Sequence, residues 1–285
     1  MKQLLSASLV LLGLACQKKS EDTKPKIVLG QIALSFHRAT AAVVEGILEK
    51  HGYTVEIIDE PHVKLYQMQS EGKIDLLVTA WLEGSHTEYV DKYRDQVYQF
   101  PKAVYNPETF WAVPDYIAES DIKTIADLKK PEISDTFVKQ MEGIGKGACI
   151  SRFSLDMLKS EAEGGYGLAE LGYTLVNHDN AVESFDYFEN SYKANKQFVF
   201  PTWKPQYLHT MYNMRKLEEP KGLLKQEGGA YLLMLKKSMN KIDASTLLEL
   251  QELVLGNDKV TEMDYLINKK GYTPKQAAQE VVFNQ

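Results

Sequence analysis

The sequence predicts an α/β protein of two lobes, with a ligand site in the cleft between the lobes. Two observations carry this prediction. Short apolar runs rich in β-formers alternate with amphipathic helical patterns, and this alternation occurs in two separate blocks of the chain. The length agrees, because roughly 260 residues beyond the N-terminal segment are enough for two lobes with separate cores.

The first block alternates strand and helix from residue 27 onward. Strands are predicted at 27–29, 54–58 and 74–80, and helices at 38–50 and about 62–70. The first helix is expected to end at Gly52. This β-α-β-α-β order is typical of a parallel sheet covered by helices.

The second block begins after Pro107. It is predicted to contain a strand-to-helix turn at 122–129, a glycine-rich loop at 142–150, helices at 154–163 and 182–193, and strands at 173–176 and 198–201. From Ala230 onward the apolar spacing predicts helices. The apolar residues concerned are Leu232, Leu233, Leu235, Leu247, Leu248, Leu250, Leu253 and Val254.

The order of the blocks predicts that the chain passes between the lobes twice, near 104–112 and 198–211. Lobe I is expected to comprise 27–108 and 205–285, and lobe II to comprise 109–204. A cleft between two such lobes is a usual place for a small ligand.

The N-terminal residues 1–15 have the layout of a secretory signal peptide: one lysine, an apolar run at 4–12, and small residues before Cys16. The sequence at 13–16 resembles a bacterial lipobox, in which the cysteine is acylated, although Gly13 departs from the usual leucine. Ordinary cleavage that leaves Cys16 free is the alternative. The polar segment 17–26 is predicted to be a flexible tether, so that 16–26 would be lipid anchor and tether.

The composition excludes some classes of function. The chain has 33 basic and 39 acidic residues and a net charge of −6. Loss of Lys2 with the signal peptide would make the net charge −7. This negative charge argues against binding of nucleic acid. Cys16 and Cys149 are the two cysteines, so acylation of Cys16 would leave no disulfide framework. No cofactor is predicted. The histidines without metal-ligand spacing are His37, His51, His62, His178 and His209.

Two of the three tryptophans each begin a short polar motif directly after an apolar β-rich run. Trp81 follows the run 74–80, and Trp203 follows the run 198–202. Both are therefore expected where a strand ends, which is where ligands bind in α/β sheets. Two aromatic faces suit a quaternary ammonium ion, which cannot donate a hydrogen bond and is held by cation–π and dispersion contacts. The alternative is that both rings belong to the core.

Several motifs resemble those of the glycine betaine and proline betaine binding proteins of ABC importers. Residues 80–86 (Ala-Trp-Leu-Glu-Gly-Ser-His) are similar to the family's A-W-L-P-G-T-H, and 143–148 (Gly-Ile-Gly-Lys-Gly-Ala) to its G-I-x-P-G-A/S. Residues 202–205 and 217–222 are similar to its W-x-P-H-W and Y-L-x-D-P-K-G. The resemblance covers essentially the whole chain after the tether.

The resemblance implies roles for individual residues. Trp81 and Trp203 would form aromatic walls around a methylated ammonium group, while His86 and the backbone amides of Cys149 and Ile150 would bind a carboxylate. Backbone N–H groups at the start of a helix attract anions, because they are unpaired and the helix dipole is positive there. The resemblance also implies the two-lobed periplasmic-binding-protein fold, a membrane permease as partner and hinge closure around the ligand.

The sequence departs from the family pattern at several positions. The usual third tryptophan aligns with Leu34, so either Phe36 supplies that wall or the cage is open on one side. Glu83 replaces a proline and could attract the cation by about 1 kcal/mol if partly exposed. Such changes could also suit another zwitterion or amine. The further candidate contacts are Leu34, His37, Glu83, Gly147 and Gln206.

An enzyme is the competing class. Cys149 as nucleophile and His86 as base can be imagined across the cleft, but no motif identifies a residue to orient the histidine. The glycine pattern of 143–147 lacks the features of dinucleotide and P-loop motifs. The sequence therefore favours a binding protein that returns its ligand unchanged.

Overall fold

The computed structural model describes residues 24–224 and 228–284, and within them strands and helices alternate as the sequence predicts. The strands are β1 (Ile27–Ile32), β2 (Val55–Glu60), β3 (Leu76–Leu82), β4 (Val97–Gln99), β5 (Glu108–Pro114), β6 (Gln140–Gly143), β7 (Thr174–Asn177), β8 (Phe200–Lys204), β9 (Met214–Lys216) and β10 (Gly229–Leu235). The α-helices are α1 (Ser35–Lys50), α2 (His62–Ser70), α3 (Thr87–Val90), α4 (Pro131–Ser134), α5 (Cys149–Leu158), α6 (Ala181–Lys193), α7 (Leu208–Met211), α8 (Ala244–Gln251), α9 (Gly256–Lys270) and α10 (Pro274–Ala278).

The largest sheet has five strands in the order β2-β1-β3-β10-β4. Strands β1, β2 and β3 run parallel, whereas β10 is antiparallel to both of its neighbours. Every residue of β3 is buried, as expected for a central strand covered on both faces. The parallel strands therefore end along one edge of this sheet.

Helix α1 packs on the sheet through an apolar face. Ala39, Val43 and Ile47 are buried and recur every four residues, which places them on one side of the helix. The helix begins three residues before the predicted start at position 38, so Phe36 lies in its first turn. Its C-terminus is followed by Gly52 at φ +84°, a left-handed conformation that glycine adopts without strain.

The second group of strands forms a three-stranded antiparallel sheet, β8-β5-β9, and a parallel pair, β6-β7. Trp111 on β5 has no exposed surface, and its indole nitrogen donates a hydrogen bond of 2.8 Å to the hydroxyl of Ser154 on α5. This tryptophan belongs to the core of the second group.

The predicted helix from Ala230 is wrong over its first part, because 229–235 form strand β10. The run includes Leu232, Leu233 and Leu235, and six of its seven residues are buried because β3 and β4 flank the strand and both of its faces are covered. A short continuous apolar run has no period that separates a central strand from a buried helix. Helices do follow at α8, α9 and α10.

The glycine-rich segment also differs from its prediction. Helix α5 begins at Cys149, five residues before the predicted start, with Ala148 at the N-cap. In the first turn the hydroxyl of Ser151 donates to the carbonyl of Ile144 at 2.8 Å, which ties the helix to the glycine-rich loop. Cys149 and Ile150 are therefore the first two residues of a ten-residue helix.

The predicted signal peptide, the lipidation site at Cys16 and most of the tether lie outside the described residues. Among 24–224 and 228–284, no helix is long and apolar enough to cross a membrane. The same residues contain no cluster of three or more histidine, cysteine or carboxylate side chains suited to a metal ion.

Candidate functional site

The ends of three parallel strands supply one wall of a small pocket. Leu34, Phe36 and His37 follow β1, His62 follows β2, and β3 contributes Trp81 near its end, with His86 in the turn beyond. The opposite side comes from β5, β8 and the start of α5. This second set consists of Thr109, Ile144, Ala148, Cys149, Ile150 and Trp203. The pocket therefore lies at the carboxyl edge of the sheet, where the sequence predicts a ligand.

Three aromatic rings meet in the pocket. The ring centroid of Phe36 lies 5.8 Å from that of Trp81 and 6.0 Å from that of Trp203. All three side chains are at least 95% buried. Phe36 therefore supplies a third aromatic ring, and Leu34 lines the same pocket.

The pocket is narrow in this conformation. About 300 Å³ of space lies between the side chains when the open mouth is included, but the centre of a water-sized sphere can occupy only about 20 Å³ of it. That is room for a single water molecule. A ligand the size of a small betaine can therefore enter only if the two sides move apart.

His86 presents a defined tautomer to the pocket. Its Nδ1 accepts a hydrogen bond of 3.0 Å from the backbone N–H of Trp81, so in the neutral ring the proton resides on Nε2. Its ring stacks on that of Trp81, with centroids 5.6 Å apart. Burial lowers the pKa of His86 well below its usual value, and the nearby His62 lowers it further. His86 is therefore a neutral hydrogen-bond donor at pH 7.

A chain of hydrogen bonds fixes the indole of Trp81. Its Nε1 donates to the hydroxyl of Tyr105 at 3.0 Å, and that hydroxyl lies 2.7 Å from the hydroxyl of Thr79. Thr79 in turn lies 3.3 Å from Nδ1 of His37. Because the indole can only donate, the chain runs from Trp81 to His37, which holds both rings in place.

Two further imidazoles surround His86. The ring centroids of His62 and His37 lie 5.1 and 6.5 Å from that of His86. Burial lowers the pKa of His62 to about 4 and lowers that of His37 well below its usual value. All three rings are therefore uncharged at neutral pH, so none of them repels a cation.

We expect the protein without ligand to lose stability on acidification, partly through His62. The pKa of His62 is 6.5 unfolded and about 4 folded, so the unfolded chain binds a proton first as the pH falls and the free energy of unfolding decreases between these values. Each kcal/mol lost should lower the melting temperature by about 2–4 °C. Calorimetric scans of the wild type and His62→Gln across this range measure the contribution.

The His62→Gln variant should show the shallower decline. Burial raises the pKa of the Asp264 carboxyl to about 6. Its protonation therefore increases the free energy of unfolding as the pH falls, opposite to the effect of His62. Asp264 is present in both proteins, so it does not affect the comparison. Identical pH slopes for the two proteins would contradict the assignment to His62.

The start of α5 faces the pocket from the other side. Cys149 and Ile150 are the first two residues of α5, and the start of a helix attracts anions because its amides and its dipole present positive charge there. Both residues line the pocket and are 4% exposed. The Cys149 thiol donates to the carbonyl of Ser85 at 2.9 Å. This contact connects the start of α5 to the turn that carries His86.

Other contacts join the same two segments. The hydroxyl of Tyr89 donates to the carbonyl of Gly147 at 3.0 Å. Arg152 forms an ion pair with Glu88 and lies 5.4 Å from the ring centroid of Tyr89. These contacts join the segment after β3 to the start of α5 and stabilise the narrow conformation.

Three candidate contacts lie outside the pocket. Glu83 is exposed, because its backbone is at φ +67° in the turn after β3 and its carboxylate lies towards Gly228. Gln206 is buried elsewhere, where its Oε1 accepts from Thr202 at 3.0 Å. Gly147 lines an adjoining groove instead. These three residues do not line the pocket in this conformation, so their contact with a ligand stays a prediction.

Four pocket residues were missed from the sequence: His62, Thr109, Ile144 and Ala148. A signal existed for His62, which directly follows Pro61 at the end of the second parallel strand. Thr109 could be found only from strand pairing, because it lies opposite Trp203 in the register of β5 and β8. Ile144 and Ala148 belong to the glycine-rich loop.

The fold and the pocket define an α/β binding protein with an aromatic ligand site between two lobes. Residues 25–282 match the family model described as the substrate binding domain of ABC-type glycine betaine transport systems. The chain therefore belongs to this family of ABC-importer substrate-binding proteins. No curated protein matches the sequence significantly.

Solved structures show the same two-lobed fold. Lactococcal OpuAC in its closed conformation with glycine betaine is similar with a TM-score of 0.77 at 20% identity, over 91% of this chain and 96% of that one. The glycine betaine/L-proline-binding protein ProX of Borrelia burgdorferi has a TM-score of 0.78 at 23% identity, over 91% and 93%. A choline-binding protein in complex with choline has a TM-score of 0.77 at 19% identity, over 91% and 88%.

Proposed function

We propose that this protein captures glycine betaine or a related quaternary ammonium compound and delivers it to an ABC permease. The observation that carries the proposal is the meeting of Phe36, Trp81 and Trp203 in one buried pocket beside a neutral His86 and a helix N-terminus. The aromatic faces suit a methylated ammonium. The imidazole N–H and helix amides suit a carboxylate.

In this proposal the two ends of the ligand are bound by different elements. Trp81, Trp203 and Phe36 surround the ammonium group. Nε2 of His86 and the amides of Cys149 and Ile150 donate to the carboxylate. A neutral histidine is the better partner here, because a charged imidazolium would sit close to the ligand's cation and repel it.

Lobe closure is the proposed mechanism of capture. We propose lobe I as 27–108 and 205–285 and lobe II as 109–204, so that the contacts of Arg152 with Glu88 and of Tyr89 with Gly147 cross between lobes. A ligand that bridges both lobes gains contacts only in the closed form and shifts the population towards it. The permease would then recognise the closed form.

The geometry does not favour a Cys149/His86 enzyme. The Cys149 thiol donates to the carbonyl of Ser85, and Nδ1 of His86 accepts from the Trp81 amide. A catalytic base needs a free ring nitrogen within about 3 Å of the nucleophile's proton. The matched family consists of transport proteins.

The N-terminal segment supports export and anchoring. We propose that 1–15 are a signal peptide, that Cys16 is acylated, and that the folded body acts outside the cytoplasm as a lipoprotein. Incorporation of labelled palmitate in the native host should be abolished by Cys16→Ser, which should also release the protein from membranes. Unchanged labelling and membrane association in that variant would refute the anchor.

A thermal-shift screen tests the proposed function. Glycine betaine, proline betaine, choline, carnitine and dimethylsulfoniopropionate form a suitable panel. A true ligand at a hundred times its dissociation constant stabilises the protein by about 2.7 kcal/mol, which raises the melting temperature by several degrees. No shift with any quaternary ammonium, under conditions where the protein is folded, would contradict the proposal.

A further inference from the structure

One hydroxyl in the pocket has no hydrogen-bond partner within the described part of the chain. Thr109 lines the aromatic pocket and is 7% exposed, and its Oγ1 is buried without a partner. An unpaired buried hydroxyl usually costs about 1–3 kcal/mol, so such groups are normally satisfied by a ligand or by water. The aromatic rings proposed for the ammonium group and the donors proposed for the carboxylate leave this hydroxyl without a role.

A second unpaired group belongs to the residue directly opposite Thr109 in the sheet. Thr109 faces Trp203 across the antiparallel pair of β5 and β8, and directly opposed residues have Cβ atoms about 4.5–5.5 Å apart. The indole Nε1 of Trp203 is likewise buried without a partner among the described residues. Trp81 differs, because its Nε1 is bonded to Tyr105. The Thr109 side of the pocket therefore offers a hydroxyl and an N–H to one polar group.

We propose that Thr109 is a specificity-determining residue that hydrogen-bonds a hydroxyl on the ligand, so that the site selects hydroxylated quaternary ammonium compounds. This inference rests on the proposed function and narrows its ligand class. Glycine betaine has no polar group beyond its carboxylate, which Cys149, Ile150 and His86 would bind. A hydroxyalkyl ammonium supplies an oxygen that accepts from the indole and exchanges a hydrogen bond with the threonine.

The test compares two ligands that differ only in the hydroxyl. Choline and n-propyltrimethylammonium have nearly the same shape, since a methyl group replaces the hydroxyl in the second. A hydrogen bond between neutral groups should make the wild type bind choline about three- to tenfold more tightly. Calorimetric titration of both ligands gives this preference directly.

Variants of Thr109 test whether its hydroxyl causes the preference for choline. Thr109→Val removes the hydroxyl at almost constant shape and should reduce the preference for choline, because only the indole N–H of Trp203 remains to bond the ligand hydroxyl. Thr109→Ser keeps the hydroxyl and should retain the preference. Thr202→Val is the matched control, because Thr202 is buried next to Trp203 on the opposite face of β8 and donates to Gln206. It should leave the preference unchanged.

The outcomes separate this inference from the proposed function. If neither cation nor glycine betaine binds, the proposed function fails. If the wild type and Thr109→Val bind choline and n-propyltrimethylammonium with the same ratio, the hydroxyl contacts no ligand group and is hydrated instead. That result would overturn the role of Thr109 and leave the aromatic cage intact.

Discussion

Replacement of either tryptophan of the pocket by alanine is expected to weaken binding of glycine betaine by tenfold or more. A desolvated cation–π contact contributes about 2 kcal/mol, and about 1.4 kcal/mol corresponds to tenfold in affinity. Lost packing adds to this, because Trp81 and Trp203 are 5% and 3% exposed. Isothermal titration calorimetry on Trp81→Ala and Trp203→Ala measures the loss.

Phenylalanine variants provide the control for this prediction. Trp203→Phe keeps an aromatic face and should retain more affinity than Trp203→Ala. Trp81→Phe should lose somewhat more than Trp203→Phe, because the Trp81 indole is held by the hydroxyl of Tyr105 and phenylalanine cannot make that bond. Melting temperatures without ligand must be measured for every variant. Undiminished affinity in both alanine variants would show that the rings belong to the core only.

His86→Ala is expected to cost a carboxylated betaine roughly ten- to a hundredfold in affinity. A hydrogen bond to a charged group contributes about 1.5–3 kcal/mol. The neutral ring offers Nε2–H to the carboxylate, since Nδ1 accepts from the amide of Trp81. Choline, which has no carboxylate, should lose much less. Calorimetric titration of both ligands into the wild type and the variant gives the comparison.

His86→Gln tests whether a donor at this position is enough. Glutamine carries an N–H group of similar reach and should recover part of the affinity for glycine betaine. Loss of the Trp81 N–H bond can also shift Trp81 in the alanine variant, and such a shift would weaken both ligands equally. Equal weakening of both ligands would make His86 a scaffold residue and contradict the assigned polarity of the site.

Much of the fold was predictable because its periodic elements are long and strongly patterned. Helix α1 and the parallel strands follow from apolar spacing. Strand β10 was not predictable, since an apolar run of seven residues has no distinguishing period. The start of α5 was predicted too late because Ala148, which cannot cap with its side chain, precedes the helix.

The site was predictable where strand ends and family motifs coincide. Trp81, Trp203, His86, Cys149 and Ile150 were named from the sequence and all line the pocket. Whether Phe36 reaches it depended on where α1 begins, which no motif fixes.

Other positions required backbone and pairing information. Glu83 turns outward through a left-handed backbone conformation. Thr109 lines the pocket because strand pairing places it opposite Trp203, and this pairing depends on the tertiary structure. Neither the turn at Glu83 nor the pairing of Thr109 with Trp203 has a local sequence signal.

A matched pair of ligands tests whether the aromatic pocket recognises a quaternary ammonium charge. Glycine betaine and 3,3-dimethylbutanoate share shape and carboxylate, but a neutral carbon replaces the ammonium nitrogen in the second. Calorimetric titration of the wild-type protein should show at least tenfold tighter binding of glycine betaine, because cation–π attraction is lost with the neutral ligand. Equal affinity for the two, or binding of 3,3-dimethylbutanoate alone, would show that the pocket does not recognise the positive charge.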